Sequence, residues 1–284
     1  MLYLIFTVDG DWKEYFDVKL ALEKRQPDSK IMKELIANEI KVAARHLEGR
    51  FIHFIHASPC ARTFFLKEPF ITLWSSIISG DGDIGVHCHE DLPYNEYYFE
   101  DTPRMRKVIS EQASSLRGSG LETCAYRGGF LAFNHMLIPA LEENRLYFDF
   151  SCEPGRHLVH NGKVVSDWTG SPESLYRMSY ADHRRKGDSS VYEIPMGVSG
   201  NKYLYFEKSD ANTIEKTARE LKNKSDAGDI IVSVLTHTYE YTSVEAVEDI
   251  VNKILVLKKF GRFINIKELK KIVKYLPGKE TQIN

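Results

Sequence analysis

Four short polar motifs in this sequence combine the residue types that bind divalent metals and transfer protons. They are Asp9-Gly10-Asp11, His87-Cys88-His89, Arg127-Gly128-Gly129 and Thr236-His237, and each follows an apolar run. A short apolar run is typical of a buried strand, so each motif lies at a predicted strand end. Carboxylates and imidazoles gathered at one rim could bind a divalent metal, with a further carboxylate left as a general base.

The histidine pair is the most specific of these signals. His87 and His89 lie two residues apart, and in an extended strand such side chains point to the same side and can bind one ion. The same spacing also occurs in histidines with a purely structural role. Asp9 and Asp11 are likewise compatible with an acidic turn after a strand. Arg127, followed by two glycines, indicates a guanidinium beside backbone that approaches another group closely.

The elements that must position these motifs alternate between strand and helix along the chain. Strands are predicted at 1–9, 51–56, 83–88, 123–127, 146–150, 191–196, 230–235 and 263–266. Helices are predicted at 30–48, 68–79, 103–118, 133–144, 210–226, 243–259 and 267–275. This alternation favours parallel strands with helical crossovers. In a parallel β/α barrel the strand ends converge on one open face, which would bring the four motifs together.

Residues 151–190 interrupt this alternation. Glycine, proline and polar residues are frequent there, which predicts loops or a small hairpin inserted at the barrel rim. Insertions of this kind often shape a substrate cleft. The sequence contains no convincing repeat and no interdomain linker, and 284 residues suit one β/α barrel. We therefore expect a single domain over residues 1–284.

Composition and charge exclude several classes of protein. Lys and Arg number 38 against 40 Asp and Glu, so the net charge of -2 supplies no broad basic face for binding nucleic acid. No segment approaches the roughly 20 apolar residues that a membrane helix requires. The apolar N-terminal run lacks a basic leader and a small-residue cleavage site, which indicates a strand rather than a signal peptide. We therefore expect a cytoplasmic protein with small or neutral partners.

Six longer motifs occur in a defined order along the chain. They are Thr7-Val8-Asp9-Gly10-Asp11-Trp12, Asp83-Ile84-Gly85-Val86-His87, Tyr126-Arg127-Gly128-Gly129-Phe130, Tyr147-Phe148-Asp149-Phe150-Ser151, Glu193-Ile194-Pro195 and Leu235-Thr236-His237. In this order they resemble the motifs of the polysaccharide deacetylase family, carbohydrate esterase family four. The resemblance spans the chain from Thr7 to about His237. It implies a distorted (β/α) barrel of the polysaccharide deacetylase type, with parallel strands and a rim insertion.

The resemblance also implies a metal site. Asp11 and His87 would bind zinc or another divalent transition metal. The family places its second metal histidine four residues after the first, where this chain has Asp91, whereas His89 stands two residues after His87. We expect His89 to be the third ligand, with Asp91 as the alternative.

The resemblance assigns acid and base roles to four further residues. Asp9 would act as the general base, and Arg127 would keep it ionised and oriented, because a neighbouring cation favours the carboxylate form. His237 would protonate the leaving amine. Asp149 would be the carboxylate partner of that acid histidine.

The implied reaction is the metal-dependent removal of an N-acyl group, expected to be acetyl, from an amino sugar or polysaccharide precursor. The substrate would lie against Gly128, Gly129 and Phe130, where a backbone N–H near Phe130 would donate to the oxyanion. Two alternatives stay open: hydrolysis of another linear amide, such as a formamido sugar, and metal-free carbohydrate binding. Metal content separates the enzyme from the binding protein. The oligomeric state is open.

Overall fold

The computed structural model describes residues 1–17, 19–92 and 96–275. Its strands are β1 (Leu2–Asp9), β2 (Ile52–Ala57), β3 (Asp83–Cys88), β4 (Asp91–Leu92), β5 (Glu96–Tyr97), β6 (Ala125–Gly128), β7 (Phe148–Asp149), β8 (His157–His160), β9 (Lys163–Asp167), β10 (Tyr176–Arg177), β11 (Tyr192–Glu193), β12 (Val198–Ser199), β13 (Lys202–Tyr203), β14 (Ile230–His237) and β15 (Arg262–Phe263). Its helices are α1 (Lys13–Phe16), α2 (Ser29–His46), α3 (Phe70–Ser79), α4 (Thr102–Gly118), α5 (Ile138–Glu143), α6 (Ala211–Lys224), α7 (Val244–Lys258) and α8 (Ile266–Tyr275). Strand and helix alternate from β1 to α8, as the sequence predicts.

A nine-stranded sheet forms the centre of the molecule. Its order is β10-β11-β7-β6-β3-β2-β1-β14, and β15 also pairs with β1. Every pairing in this sheet is parallel except that of β10 with β11. The sheet curls into a half-barrel surrounded by helices. The predicted fold class, a distorted (β/α) barrel with parallel strands, is therefore confirmed.

Both faces of this sheet are covered by apolar side chains. Along β1, Leu4, Phe6 and Val8 pack in the cluster that contains the inner sides of α2, α3 and α4. Ile5 packs in a second cluster, which joins β2, β7 and β11 to α8. Because successive side chains of a strand point to opposite faces, one continuous apolar run supplies both clusters. The strands are thus packed on two sides, and the polar residues of the four motifs lie at their carboxyl ends.

Several helices begin where a polar side chain caps the first turn. Asp28, Asp101 and Asp210 accept hydrogen bonds from the backbone N–H three residues later, at the starts of α2, α4 and α6. Such caps satisfy amide groups that have no partner inside the helix. The predicted helix at 133–144 is shorter in the structure, because Asn134 caps a separate 3-10 turn and α5 begins only at Ile138. No helix among the described residues is long and apolar enough to cross a membrane.

Residues 151–190 contain an antiparallel hairpin formed by β8 and β9. Its turn has positive φ at Asn161 (49°) and Gly162 (74°), the conformation that a tight hairpin turn requires. Tyr176 and Arg177, which the sequence analysis placed in the insertion, instead extend the main sheet as β10. A pairing of two residues is too short to produce the alternating pattern that identifies a strand.

Candidate active site

The carboxyl ends of five parallel strands bring the predicted polar residues together. Asp9 of β1 lies in register with His237 of β14. His87 of β3 lies in register with Arg127 of β6 on one side and with His56 of β2 on the other. Parallel strands end at the same edge of the sheet, so side chains far apart in sequence converge there. Asp9, Asp11, His87, His89 and His237 line a cleft of about 300 Å³ at this edge.

Three side chains at the base of the cleft could share one ion. His87 Nε2 lies 3.1 Å from His89 Nε2 and 3.6 Å from Asp11 Oδ1, and His89 Nε2 lies 3.7 Å from Asp11 Oδ2. Metal–ligand bonds of about 2.0–2.2 Å place neighbouring donors of a tetrahedral ion roughly 3.4 Å apart. All three side chains are 2% exposed. Asp11, His87 and His89 form a donor cluster whose spacing, burial and chemistry fit a zinc-type ion.

The second ring nitrogen of each histidine is held from behind. His87 Nδ1 donates to the backbone carbonyl of Arg127 at 3.1 Å, and His89 Nδ1 lies 2.8 Å from Asp91 Oδ1. A carbonyl can only accept, so Nδ1 of His87 carries the hydrogen and Nε2 presents a lone pair to the cleft. Asp91, the alternative third ligand, thus contacts the side of His89 remote from the donor cluster. Carboxylates in this position orient a metal-binding imidazole.

The contact between the two Nε2 atoms requires a proton or a cation between them. Burial lowers the pKa of His89, but Asp91 and Asp11 outweigh it and raise that pKa to about 10. The two carboxylates thus favour a positive charge beside this ring, which either a proton or a bound metal ion supplies, and metals bind only deprotonated imidazole.

His56 contacts the donor cluster, although no motif in the sequence marks it. Its Nδ1 lies 2.6 Å from Asp11 Oδ1, and its ring stacks on that of His89 at 4.8 Å between centroids. Burial lowers the pKa of His56 to about 4, in spite of Asp11. The neutral ring therefore donates a hydrogen bond to Asp11 and fixes that carboxylate. The one available signal was that His56 lies near the end of a predicted strand, as His87 does.

Arg127 binds Asp9, the contact that the sequence predicts. Its Nη1 donates to Asp9 Oδ1 at 2.6 Å, and its Nε donates to the backbone carbonyl of Phe150 at 2.9 Å. Burial would raise the pKa of Asp9, but the charges of Arg127, His87 and His237 lower it overall. Asp9 Oδ2 is left 3.7 Å from His87 Nε2. Asp9 is therefore an ionised carboxylate that faces the donor cluster.

His237 lies on the other side of Asp11, with its Nε2 3.9 Å from Asp11 Oδ2. Its Nδ1 lies 3.2 Å from Glu207 Oε1, which also accepts hydrogen bonds from Thr236 Oγ1 and from the His237 amide at 2.8 Å each. Burial lowers the pKa of His237, but Glu207, Asp9 and Asp11 raise it to about 8. The histidine is thus a proton donor near neutral pH.

Among the described residues, the carboxylate bonded to Nδ1 of His237 is that of Glu207 and not the expected Asp149. Asp149 Oδ1 accepts from Ser151 Oγ at 2.7 Å, and Asp149 lies in register with Glu193 on β11. Burial raises the pKa of both carboxyl groups, and the proximity of the two raises that of Glu193 further. Both carboxyl groups thus lie on β7 and β11 and do not face the cleft lining. No motif marked Glu207, which lies between predicted elements.

The Gly128-Gly129-Phe130 segment packs directly against a histidine of the cluster. A Cβ on Gly129 would lie 2.6 Å from His89 Cγ, so this position admits only glycine without moving the ring. The Gly128 amide donates to Ser151 Oγ at 2.9 Å. Of the three residues predicted to bind substrate, Phe130 lines the cleft. Its φ of 54° is unusual for a non-glycine residue, as is the 60° of Leu131.

No model of a known protein family matches the sequence, and no curated protein matches it. Solved structures with the same fold do match this chain. A protein from Mycobacterium smegmatis described as a polysaccharide deacetylase has a TM-score of 0.62 and 14% identity, over 100% of this chain and 94% of that one. Puue allantoinase has a TM-score of 0.56 and 10% identity, over 98% and 92%. A Pseudomonas aeruginosa PAO1 protein described as a polysaccharide deacetylase has a TM-score of 0.53 and 10% identity, over 98% and 93%. The fold that the motifs imply is therefore confirmed at low sequence identity.

Proposed function

We propose that this chain is a divergent polysaccharide deacetylase, a metal-dependent hydrolase. It would remove an N-acyl group, namely an acetyl group, from an amino sugar or polysaccharide precursor. The observation that carries the proposal is the buried set of Asp11, His87 and His89, flanked by the Asp9 carboxylate and the His237 imidazole. The fold shared with proteins described as polysaccharide deacetylases supports the same class of reaction. The order of the motifs along the chain supports it independently.

Asp11, His87 and His89 would hold zinc or another divalent transition metal. A bound ion of this kind polarises an acyl carbonyl and lowers the pKa of bound water. Three protein ligands leave room for water and substrate, which is the arrangement of catalytic rather than structural zinc sites. The cleft reaches these three side chains, so an acyl group can approach them.

Asp9 would accept the proton of the attacking water. One of its oxygens is bound by Arg127, and the other faces the donor cluster. The guanidinium favours the ionised carboxylate, so the base is ready to accept a proton at neutral pH. Asp9 would therefore act as the general base and Asp11 as a metal ligand, although only one residue separates them in the sequence.

His237 would protonate the leaving amine. Glu207 fixes Nδ1 and the main chain of this histidine, so its Nε2 points toward the cleft with a proton to donate. The backbone N–H of Phe130 would stabilise the negative charge that develops on the acyl oxygen. The close packing of Gly129 on His89 would hold this amide at a fixed position relative to the cluster.

Two measurements test the proposal together. Elemental analysis of the purified protein should find close to one divalent transition metal per chain. The metal-loaded protein should release acetate from at least one member of a panel of N-acetylated amino sugars, oligosaccharides and nucleotide sugars. Matching N-formyl substrates in the panel distinguish deacetylation from the hydrolysis of formamido sugars. A metal-free protein that binds sugars without turnover would overturn the proposal in favour of carbohydrate binding.

A further inference from the structure

Two cationic side chains line the cleft beside the proposed acid–base groups. They are Arg156, which precedes the β8–β9 hairpin, and Lys208, which follows β13. Neither belongs to the donor cluster, and neither is part of a motif that the resemblance covers. The two segments are joined, since Tyr203 Oη donates to the backbone carbonyl of Pro154 at 3.3 Å.

Arg156 is held in place but keeps hydrogen-bonding capacity. Its Nη1 lies 3.1 Å from Glu153 Oε2, and its backbone carbonyl accepts from the Trp168 amide at 2.8 Å. Its Nε is buried and has no hydrogen-bond partner in the part of the chain that the structure describes. A buried guanidinium nitrogen without an acceptor is costly, because its lost hydration is not replaced. The side chain as a whole is 19% exposed and lines the cleft, so the accessible part of the guanidinium can meet a ligand there.

Lys208 is exposed and forms no ion pair among the described residues. Its Nζ lies over the ring of Tyr205, 4.3 Å from the centroid, a contact that holds the ammonium without neutralising it. Both carboxylates that line the cleft already have partners. Asp9 is paired with Arg127, and Asp11 accepts from His56 and belongs to the donor cluster. The cleft therefore offers a ligand one ammonium without an ion pair in the described part of the chain, that of Lys208, and one guanidinium, that of Arg156, whose single carboxylate contact there is made by Nη1.

Aromatic side chains form another part of the cleft lining. Phe16 contacts Phe130 at 6.1 Å and Tyr239 at 6.5 Å between ring centroids. Aromatic rings offer apolar faces to the C–H groups of a sugar ring, whereas charged donors bind oxyanions. The lining thus combines a surface for a sugar ring with cations for an acidic substituent.

We propose that the substrate is an acidic N-acylated amino sugar, whose phosphate or carboxylate group is bound by Arg156 and Lys208. The position of the acyl group at the donor cluster rests on the proposed function, whereas the recognition of the acid rests on these two cations alone. Arginine binds phosphate and carboxylate by charge-assisted hydrogen bonds of comparable geometry. The shared chemistry is therefore an oxyanion attached to the sugar.

Binding and turnover are measured separately. Isothermal calorimetry compares glucosamine with glucosamine 6-phosphate, glucosamine 1-phosphate and 2-amino-2-deoxyglucuronic acid, the deacylated products of neutral, phosphorylated and carboxylated substrates. At least one acidic sugar should bind about tenfold more tightly than glucosamine, as one or two charge-assisted hydrogen bonds imply. The phosphorylated and carboxylated arms identify which acid the cleft prefers. Turnover is measured with the corresponding N-acetyl sugars.

Arg156→Gln and Lys208→Gln should each reduce the ratio of acidic to neutral affinity by about threefold, because the two cations together account for a preference of about tenfold. Lys202→Gln, which removes an exposed lysine outside the cleft lining, is the matched control and should leave that ratio unchanged. Lys208 is exposed, so its variant remains informative even if Arg156→Gln folds poorly. Equal affinity for neutral and acidic sugars in the wild type, or an unchanged ratio in Lys208→Gln, would overturn the inference. Preferential binding of an acidic sugar without any deacylation would instead overturn the proposed function and leave the acid site standing.

Discussion

Arg127 Nη1 lies 2.6 Å from Asp9 Oδ1, and the two side chains are 0% and 4% exposed. A second bond, from Arg127 Nε to the Phe150 carbonyl, prevents the guanidinium from turning away. An ion pair buried to this extent is weak evidence for stability, because desolvation offsets its attraction. Its effect on the charge of Asp9 is more direct, since the cation holds the carboxylate ionised beside the donor cluster.

Asp9→Asn should retain the metal but lose turnover by about 100-fold or more, because the amide cannot accept the proton of water. Asp11→Asn should lose metal and turnover together, because it removes a ligand. Both variants are measured by elemental analysis and by kcat on one substrate. Equal metal loss in the two variants would show that Asp9 is a metal ligand. Near wild-type turnover in Asp9→Asn would show that Asp9 is not the general base.

Asp91→Asn should weaken metal binding by about 10- to 100-fold without abolishing it, because Asp91 orients His89 from behind. His89→Ala should abolish binding at the same metal concentration, because a direct ligand is lost. Competition with a chromophoric chelator gives both affinities. The reverse order, with the larger loss in Asp91→Asn, would make Asp91 the third ligand.

His56→Gln should also reduce metal affinity by about tenfold, because the hydrogen bond that fixes Asp11 is shortened or lost. The same strand offers a matched control. His53 is buried and lies 2.8 Å from Glu39 through Nδ1, and being three residues away it points to the other face of β2. His53→Gln should therefore lower stability but leave metal affinity unchanged. Equal effects of the two variants on metal affinity would refute a specific role of His56.

Glu207→Gln should lower kcat by about tenfold at alkaline pH and leave the metal content unchanged. Glu207 helps to raise the pKa of His237 to about 8, and the neutral amide lowers that pKa. The protonated fraction of His237 is then lost at lower pH, so the alkaline limb of the kcat profile should shift to lower pH. An unshifted profile would exclude His237 as the proton donor that Glu207 supports.

Asp83→Asn should stabilise the protein at alkaline pH. Burial raises the pKa of Asp83 to about 6 from 3.8, although the Ile266 amide donates to it. The stability contributed by the protonated group is fully present below the unfolded pKa and is lost as the pH rises through the folded pKa. Urea unfolding should show that the benefit of Asp83→Asn is larger at about pH 8 than at about pH 5, by on the order of 1 kcal/mol. A pH-independent benefit would exclude this titration as the cause.

The sequence identifies the strand ends well because β1, β3, β6 and β14 are apolar runs that stop at polar residues. Their parallel pairing then determines which side chains meet, so Asp9, Arg127 and His237 could be placed together without coordinates. Their assignment as base, orienting cation and acid remains a prediction.

Some site residues could not be identified from the sequence, because their contacts depend on which strands and turns are neighbours in the fold. His56 reaches Asp11 only because β2 lies between β1 and β3 in the sheet. Glu207 reaches His237 from a 3-10 turn that packs beside β14. The resemblance pairs Asp149 with His237, but Asp149 lies in register with Glu193 of β11 and accepts a hydrogen bond from Ser151 instead.

The register of Asp9 opposite His237 has a consequence for how the protein acquires activity. These two residues come from the first and last long strands of the main sheet, so the proposed base and the proposed acid face each other only after β14 has paired with β1. Closing such a distant pair is an entropically expensive step that requires the intervening strands to be in place. Nascent chains and misfolded species in which β1 and β14 are not paired would be inactive. Turnover would therefore measure the fraction of chains that have completed folding.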